Sequence, residues 1–159
     1  YGGWLPQYRR NGEWVQVDLG RNVEIAALGT QGTKHGHYMR SYRLTYSQDG
    51  TTWKEVDGRS SFPGNVNHNQ VQRTTFQNPV TARFFRVTAT SFHSWPGLRM
   101  ELYGTKNERF EGGQPLGLQT RLGNHMFKAS SAHGNNWHYY GPQHARLYYT
   151  SYYGGWLPQ

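Results

Sequence analysis

The stretch ARFFRVTATSFHSWPGLRMELYG, Ala82–Gly104, decides how this chain is read. Ala82–Ala89 alternates and is rich in aromatic and β-branched residues, the pattern of a strand. Leu98–Tyr103 does the same. Between them Phe92–Gly97 carries Ser, Pro and Gly, residues that turn the chain. Working outward, the same pattern recurs. Glu13–Leu19, Val23–Gln31, Tyr42–Ser47, Trp53–Val56 and Val71–Phe76 read as strands, with Gln48-Asp49-Gly50 as a turn. Met126–Ser130 and Ala145–Tyr149 follow beyond a loop. No apolar stretch of helical period has useful length. Many short strands with Gly, Pro and Asn between them predict an all-β antiparallel sandwich or barrel. Trp14, Phe84, Val87, Leu98 and Met100 are assigned to its core.

The chain has 159 residues, the size of one domain. Lys and Arg outnumber Asp and Glu by 17 to 9, for a net charge of +8. That balance favours polyanionic partners such as sulfated glycans or anionic headgroups. No basic run exceeds two residues, so a nucleic-acid arm, and a nucleic-acid partner, are not expected. There is no cysteine, which excludes disulfides, thiolate metal sites and cysteine nucleophiles. Phosphate-loop and nucleophile-elbow motifs are absent, and no carboxylate pair stands out, so an enzyme is not expected. His35 and His37 are two apart and could face one way, but no third ligand is specified, and neither a metal nor a cofactor is expected.

Three stretches resemble the discoidin family, also called the coagulation factor V/VIII type C domain: Glu13–Gly20 (EWVQVDLG), Tyr42–Trp53 (YRLTYSQDGTTW) and Ala82–Gly104, in order and with Thr30-Gln31-Gly32 between. The resemblance implies a discoidin-like antiparallel β-sandwich of the jelly-roll, galactose-binding-like type. The family's opening third is not at the start. Its likeness appears in Pro115–Leu118, Ala129–Ser131, Trp137, Ala145–Leu147 and Gly155-Trp156. Residues 1–105 thus resemble the C-terminal two-thirds of a module, 106–113 a linker, and 114–159 the N-terminal third.

YGGWLPQ stands at Tyr1–Gln7 and again at Tyr153–Gln159. Two histories fit: a window on an array of near-identical repeats, or a circular permutant with an overlap. The linker spans at most roughly 30 Å, enough to close on its own module or to reach a neighbour. Self-association through the two YGGWLPQ segments, into a head-to-tail polymer or filament, is therefore the alternative function. Tyr139-Tyr140, Tyr148-Tyr149 and Tyr152-Tyr153 add a tyrosine-rich patch suited to such contacts.

The resemblance also implies where ligands meet the domain: loops at one end of the sandwich. By position these are His133–Tyr140, Thr33–Arg40 and, beside them, Phe92–Gly97. The candidate ligand-binding residues are Arg9, Arg10, Lys34, His35, His37, Tyr38, Arg40, Asn136, Trp137 and His138. Members of the family that grip a peptide's terminal Arg use an acidic residue just before the EWVQVDLG strand; Arg9 and Arg10 stand there instead. Members that enter membranes place bare apolar pairs at the tips, where this chain has His, Asn, Tyr and Trp. Aromatic faces stack on sugar C–H groups, amides and imidazoles bond hydroxyls, and Lys and Arg attract sulfate or carboxylate. The expectation is an extracellular, non-enzymatic adhesion or recognition module for a glycan or other polyanion, with peripheral membrane contact as a further option.

Overall fold

The computed structural model describes residues 2–105, 114–118 and 122–147. Two long strands organise it. β1 (Trp14–Gln31) and β5 (Gln72–His93) run antiparallel, and their register shifts between Asp18 and Val23 and again between Ile25 and Ala27. Each strand therefore serves two layers. The first half of β1 (14–18) lies against 84–88 of β5, and the second half (23–30) against 72–82. Around the first pairing sit β2 (Tyr38–Ser47) on β5, β3 (Lys54–Glu55) on β2 and β7 (Phe127–Ala129) on β1. Around the second sits β6 (Arg99–Tyr103) on β1. β4 (Phe62–Pro63) pairs with the start of β2. The result is a five-stranded layer facing a three-stranded one, an antiparallel β-sandwich.

The sequence pattern splits β1 and β5 into two strands each, Glu13–Leu19 and Val23–Gln31, and Val71–Phe76 and Ala82–Ala89. The chain instead bulges. The Asp18 carboxylate accepts from Gly20 N–H at 2.8 Å and so satisfies the backbone where the ladder is interrupted.

The core is formed by inward residues of both layers: Val15, Val17, Ile25, Leu28, Tyr42, Leu44, Phe85, Val87, Leu98, Met100 and Leu102 are all fully buried. Trp14 and Phe84 are not in it. Alternation sends Val15, Val17, Phe85 and Val87 inward, so Trp14 and Phe84 emerge on the outer face, paired in register with Thr88 and Asp18. Each is half-buried there beneath an arginine: Arg86 over Trp14 and Arg83 over Phe84.

The segment Gly2–Gln7 is seated in the module. Trp4 is 0 % exposed and bridges Leu98, with N–H to O distances of 3.0 and 3.1 Å. Its indole Nε1 donates to Ser131 O at 2.9 Å. Residues 114–118 and 122–147 pack on residues 2–105 of the same chain. Gly104 N–H donates to Gln114 O, Leu116 N–H to Leu102 O, and Met100 and Arg146 form a parallel bridge. The linker 106–113, Tyr148-Tyr149, Tyr152-Tyr153 and the second YGGWLPQ lie outside the described residues.

Truncating the inward and outward phenylalanines should separate them. Phe85→Ala is expected to lower the unfolding free energy by about 3–5 kcal/mol, the cost of emptying a packed aromatic site. Phe84→Ala, at the surface, is expected to cost less than half as much. Denaturant titration of both variants measures the contrast, and equal losses would contradict the assigned phase of β5.

Candidate ligand-binding end of the sandwich

Four loops meet at one end of the molecule. The β1–β2 loop (residues 32–37) turns tightly, with Thr33 N–H donating to His37 O and Gly36 N–H to Thr33 O. A Cβ on Gly32 would stand 2.5 Å from His37 O and 2.7 Å from His68 Cα, so a side chain there would push the first loop off the second. That second loop, Gly64–Gln70, is tied down by Asn65, which donates from its amide to Thr30 O and Gln70 O. The third, Ser94–Gly97, leaves β5 through Ser94, at φ 59° in left-handed backbone. Its Trp95 indole donates to Pro6 O at 2.8 Å. The fourth, residues 133–140, turns through Gly134 and Asn135 and ends in a four-residue helix, Trp137–Tyr140, whose Asn136 side chain accepts from Tyr139 N–H.

Aromatic and imidazole rings fill the space between these loops. His37 Nδ1 lies 3.0 Å from Ser94 Oγ, and its ring meets Trp95 edge-on. Trp95 meets His133 in turn, and His133 meets Tyr140. Tyr38 stacks on His93 at 5.0 Å, and Arg40 Nη2 is 3.2 Å from His93 Nδ1. Burial, and the charges of His35, His133, His93 and His68, hold the His37 pKa below the ordinary histidine value. Four other imidazoles thus lie within electrostatic reach of His37. Lys34, His35, His138 and Trp137 are exposed, Trp137 at 48 %.

The structure therefore brings Lys34, His35, His37, Tyr38 and Arg40 to the same end as Asn136, Trp137 and His138. Gln7 joins the 133–140 loop to the N-terminal segment by accepting from Asn135 N–H at 3.1 Å. Arg9 is exposed just beyond it. Arg10 is engaged elsewhere: it pairs with Glu13 at 2.9 Å and covers the Tyr8 ring. Sequence reasoning missed the Gly64–Gln70 loop, which adds His68 and, at 76 % exposure, Val66. Its Gly and Asn residues mark a turn, but nothing in them marks which end of the sandwich the turn faces. Among the described residues no group of three or more His, Asp or Glu is arranged to hold a metal ion, and no helix is long and apolar enough to cross a membrane.

Comparison with known proteins bears on the family and the fold. The family model described as the F5/8 type C domain matches residues 1–102. Bovine (Bos taurus) lactadherin is 36 % identical over 112 residues, covering 65 % of this chain and 26 % of its own. Chicken (Gallus gallus) neuropilin-1 is 35 % identical over 154 residues, covering 91 % of this chain and 16 % of its own. The chain thus spans about a quarter or less of the length of these relatives. Among solved structures, discoidin II of Dictyostelium discoideum superposes with a TM-score of 0.55 at 23 % identity, over 62 % of this chain and 40 % of that one. A chitosan-binding module from a chitosanase/glucanase of Paenibacillus sp. IK-5 gives 0.51 at 21 %, over 64 % and 74 %. The chain belongs to the F5/8 type C, or discoidin, domain family.

His37 makes a contribution to stability whose pH dependence has a definite sign. A histidine whose pKa is depressed by folding holds fewer protons folded than unfolded, so stability falls as pH drops below about 6.5. His144, its pKa also lowered by burial, acts in the same direction. Glu101, whose pKa burial pushes up to about 7, acts in the opposite direction over the same window. Thermal unfolding between pH 7.5 and 5.5 therefore reads the histidine contribution as a difference: on acidification His37→Gln should lose less stability, or gain more, than wild type. Parallel curves for the two proteins would show that His37 titrates as it does unfolded.

Proposed function

We propose that this chain is an extracellular, non-enzymatic recognition module that binds glycans or other polyanionic surfaces through the four-loop end. The observation that carries the reading is the composition of that end. Lys34 and Arg40 supply fixed positive charge, Trp137 an exposed aromatic face, and Asn136 and the imidazoles hydrogen-bonding groups. A sugar ring needs a flat apolar partner for its C–H face and amide or imidazole groups for its hydroxyls, and an acidic sugar needs a cation as well. The chitosan-binding relative of the fold lends support to a carbohydrate ligand. Val66, exposed beside these groups, supports shallow contact with a lipid headgroup region as the form an anionic surface would take.

A heparin-derived hexasaccharide, titrated by calorimetry, tests this reading. Binding is expected to weaken as NaCl is raised, because the contacts lie at the surface and are screened. It should strengthen between pH 7.5 and 5.5 as imidazoles gain charge. The variant Lys34→Ala/Arg40→Ala/Trp137→Ala should lose about tenfold or more in affinity. An unchanged affinity in that triple variant would move ligand recognition away from the loop end.

A second reading, assembly into a polymer, rests on a different observation. The Trp4 slot accepts one YGGWLPQ segment, and residues 153–159 repeat that sequence. The repeat carries every group that Gly2–Gln7 uses, so it suits the same slot of a neighbouring module, which would make an open head-to-tail contact. The neuropilin-1 match supports a tandem order, since it runs through 154 residues in one linear sequence, linker included. Light scattering across a wide concentration range is the check. Growth with concentration, abolished by Trp156→Ala in a protein that still folds, is the expected outcome of this reading. A monomer at every concentration would leave the duplicate without an assembly role.

A further inference from the structure

The outer face of the five-stranded layer carries a second group of aromatic and basic side chains, away from the loops. Register sets it out. Across the sheet Thr45 of β2, Arg86 of β5, Gln16 of β1 and Lys128 of β7 stand in one row; Arg43, Thr88 and Trp14 stand in the next. Trp53 closes the β3 side. Arg86 lies between two indoles, 4.5 Å from the Trp14 ring and 4.1 Å from the Trp53 ring. Its Nε and Nη2 both donate to the neutral Gln16 Oε1, at 3.2 and 2.8 Å. This guanidinium is partly desolvated, and among the described residues it has no carboxylate partner.

Arg43 makes the arrangement stranger. It is exposed, with no ion pair among the described residues, and it is the diagonal neighbour of Arg86 on the same face. Like charges so placed on paired strands repel. Burial and the Arg43 charge both lower the Arg86 pKa. A fold gains nothing from leaving two guanidiniums side by side, whereas an anion lying between them relieves the repulsion.

A cleft runs over these groups. One part, of about 440 Å³, is lined by Trp14, Trp53, Arg43, Arg86, Thr45 and Thr88 among others. A second, of about 300 Å³, continues it past Ser60 and Thr90 and shares Gly12, Arg43 and Thr88 with the first. The trough is long and open, with hydroxyls along its floor and walls. That shape suits a chain of sugars better than a compact ion, and its charge selects sugars that carry sulfate or carboxylate. Glu55 stands exposed at one rim, so the acidic groups of a ligand are drawn toward Arg43 and Arg86 and away from that edge.

We propose that this sheet face is a second binding site, separate from the loop end, for an acidic glycan whose sulfate or carboxylate meets Arg43 and Arg86 between Trp14 and Trp53. The two indole N–H resonances, assigned by Trp14→Phe and Trp53→Phe, report on it directly by NMR. A heparin-derived hexasaccharide is expected to shift both signals in wild type and equally in Lys34→Ala/Arg40→Ala/Trp137→Ala, which removes the loop end. Uncharged maltohexaose at the same concentration should move neither. Arg43→Ala, a change at an exposed position, should raise the saturating concentration about tenfold, and Arg86→Gln at least as much. If the signals stay still up to millimolar hexasaccharide, or shift only while the loop residues are intact, the sheet face is not a site. A response to maltohexaose equal to that of the acidic sugar would overturn the assignment to an acidic ligand.

Discussion

One buried indole holds the four-loop end together. Trp4 belongs to a segment that lies far in sequence from the elements it joins, and it touches each of them. Its backbone pairs with Leu98, at the start of β6, and its Nε1 donates to Ser131 O, 127 residues away. The next residue extends the tie: Leu5 N–H donates to Tyr140 O, and His133 N–H donates to Leu5 O. Gln7 then donates its N–H to Ser131 Oγ and accepts from Asn135 N–H through its side chain. The segment Gly2–Gln7 is therefore a clasp between the late loop 133–140 and the rest of the sandwich. It adds to the two ties that flank the fourth loop, the three-residue β7 on β1 and the bridge between Met100 and Arg146.

Glu13 reinforces the clasp from below. Its carboxylate is 1 % exposed and accepts from Ser130 Oγ and Ser131 Oγ, with Arg10 completing the set. Burial alone would raise its pKa, but the hydrogen bonds from Ser130, Ser131 and Arg10 outweigh it and hold the carboxylate below the usual range. Arg10 is thus spent on structure. This is the physical reason why a basic pair beside the first strand does not translate into two free cations at the rim.

How much of this could be read from sequence depended on whether the deciding interaction was local. Strand content was legible, because alternation is a property of neighbouring residues. The phase of alternation was not legible in EWVQVDL or ARFFRV, where apolar side chains occupy both faces: Trp14 and Phe84 look like core residues until pairing shows that Val15 and Phe85 take the inner positions. The continuity of β1 and β5 was hidden for the same reason. A glycine between two alternating runs marks a turn or a bulge, and only the partner strand decides which. At the candidate site, the loops 33–40, 92–97 and 133–140 could be placed together through the family resemblance. The Gly64–Gln70 loop could not, since what brings it there is the fit of Gly32 beneath His68 and the reach of Asn65 to Thr30 O.

The two basic regions of the domain differ in what carries their charge, and that difference has consequences. At the loop end imidazoles are set among aromatic rings, with Arg40 against His93 and Lys34 exposed nearby. The positive charge of His37 grows on acidification, opposed by burial and by the charges of four neighbouring histidines. On the sheet face the charge is borne by guanidiniums, which stay protonated across the whole working range even where burial lowers the pKa of Arg86. Between pH 7.5 and 5.5 the field at the loop end therefore changes and the field at the sheet face does not. The two are also built on supports of different rigidity. Arg86 is fixed in the centre of a five-stranded layer by two indoles and Gln16, whereas the imidazoles ride on turns that pass through left-handed backbone at Ser94 and Asn135. Acidification thus concentrates its electrostatic cost on the least regular part of the molecule and leaves the sheet face, in charge and in geometry, as it was.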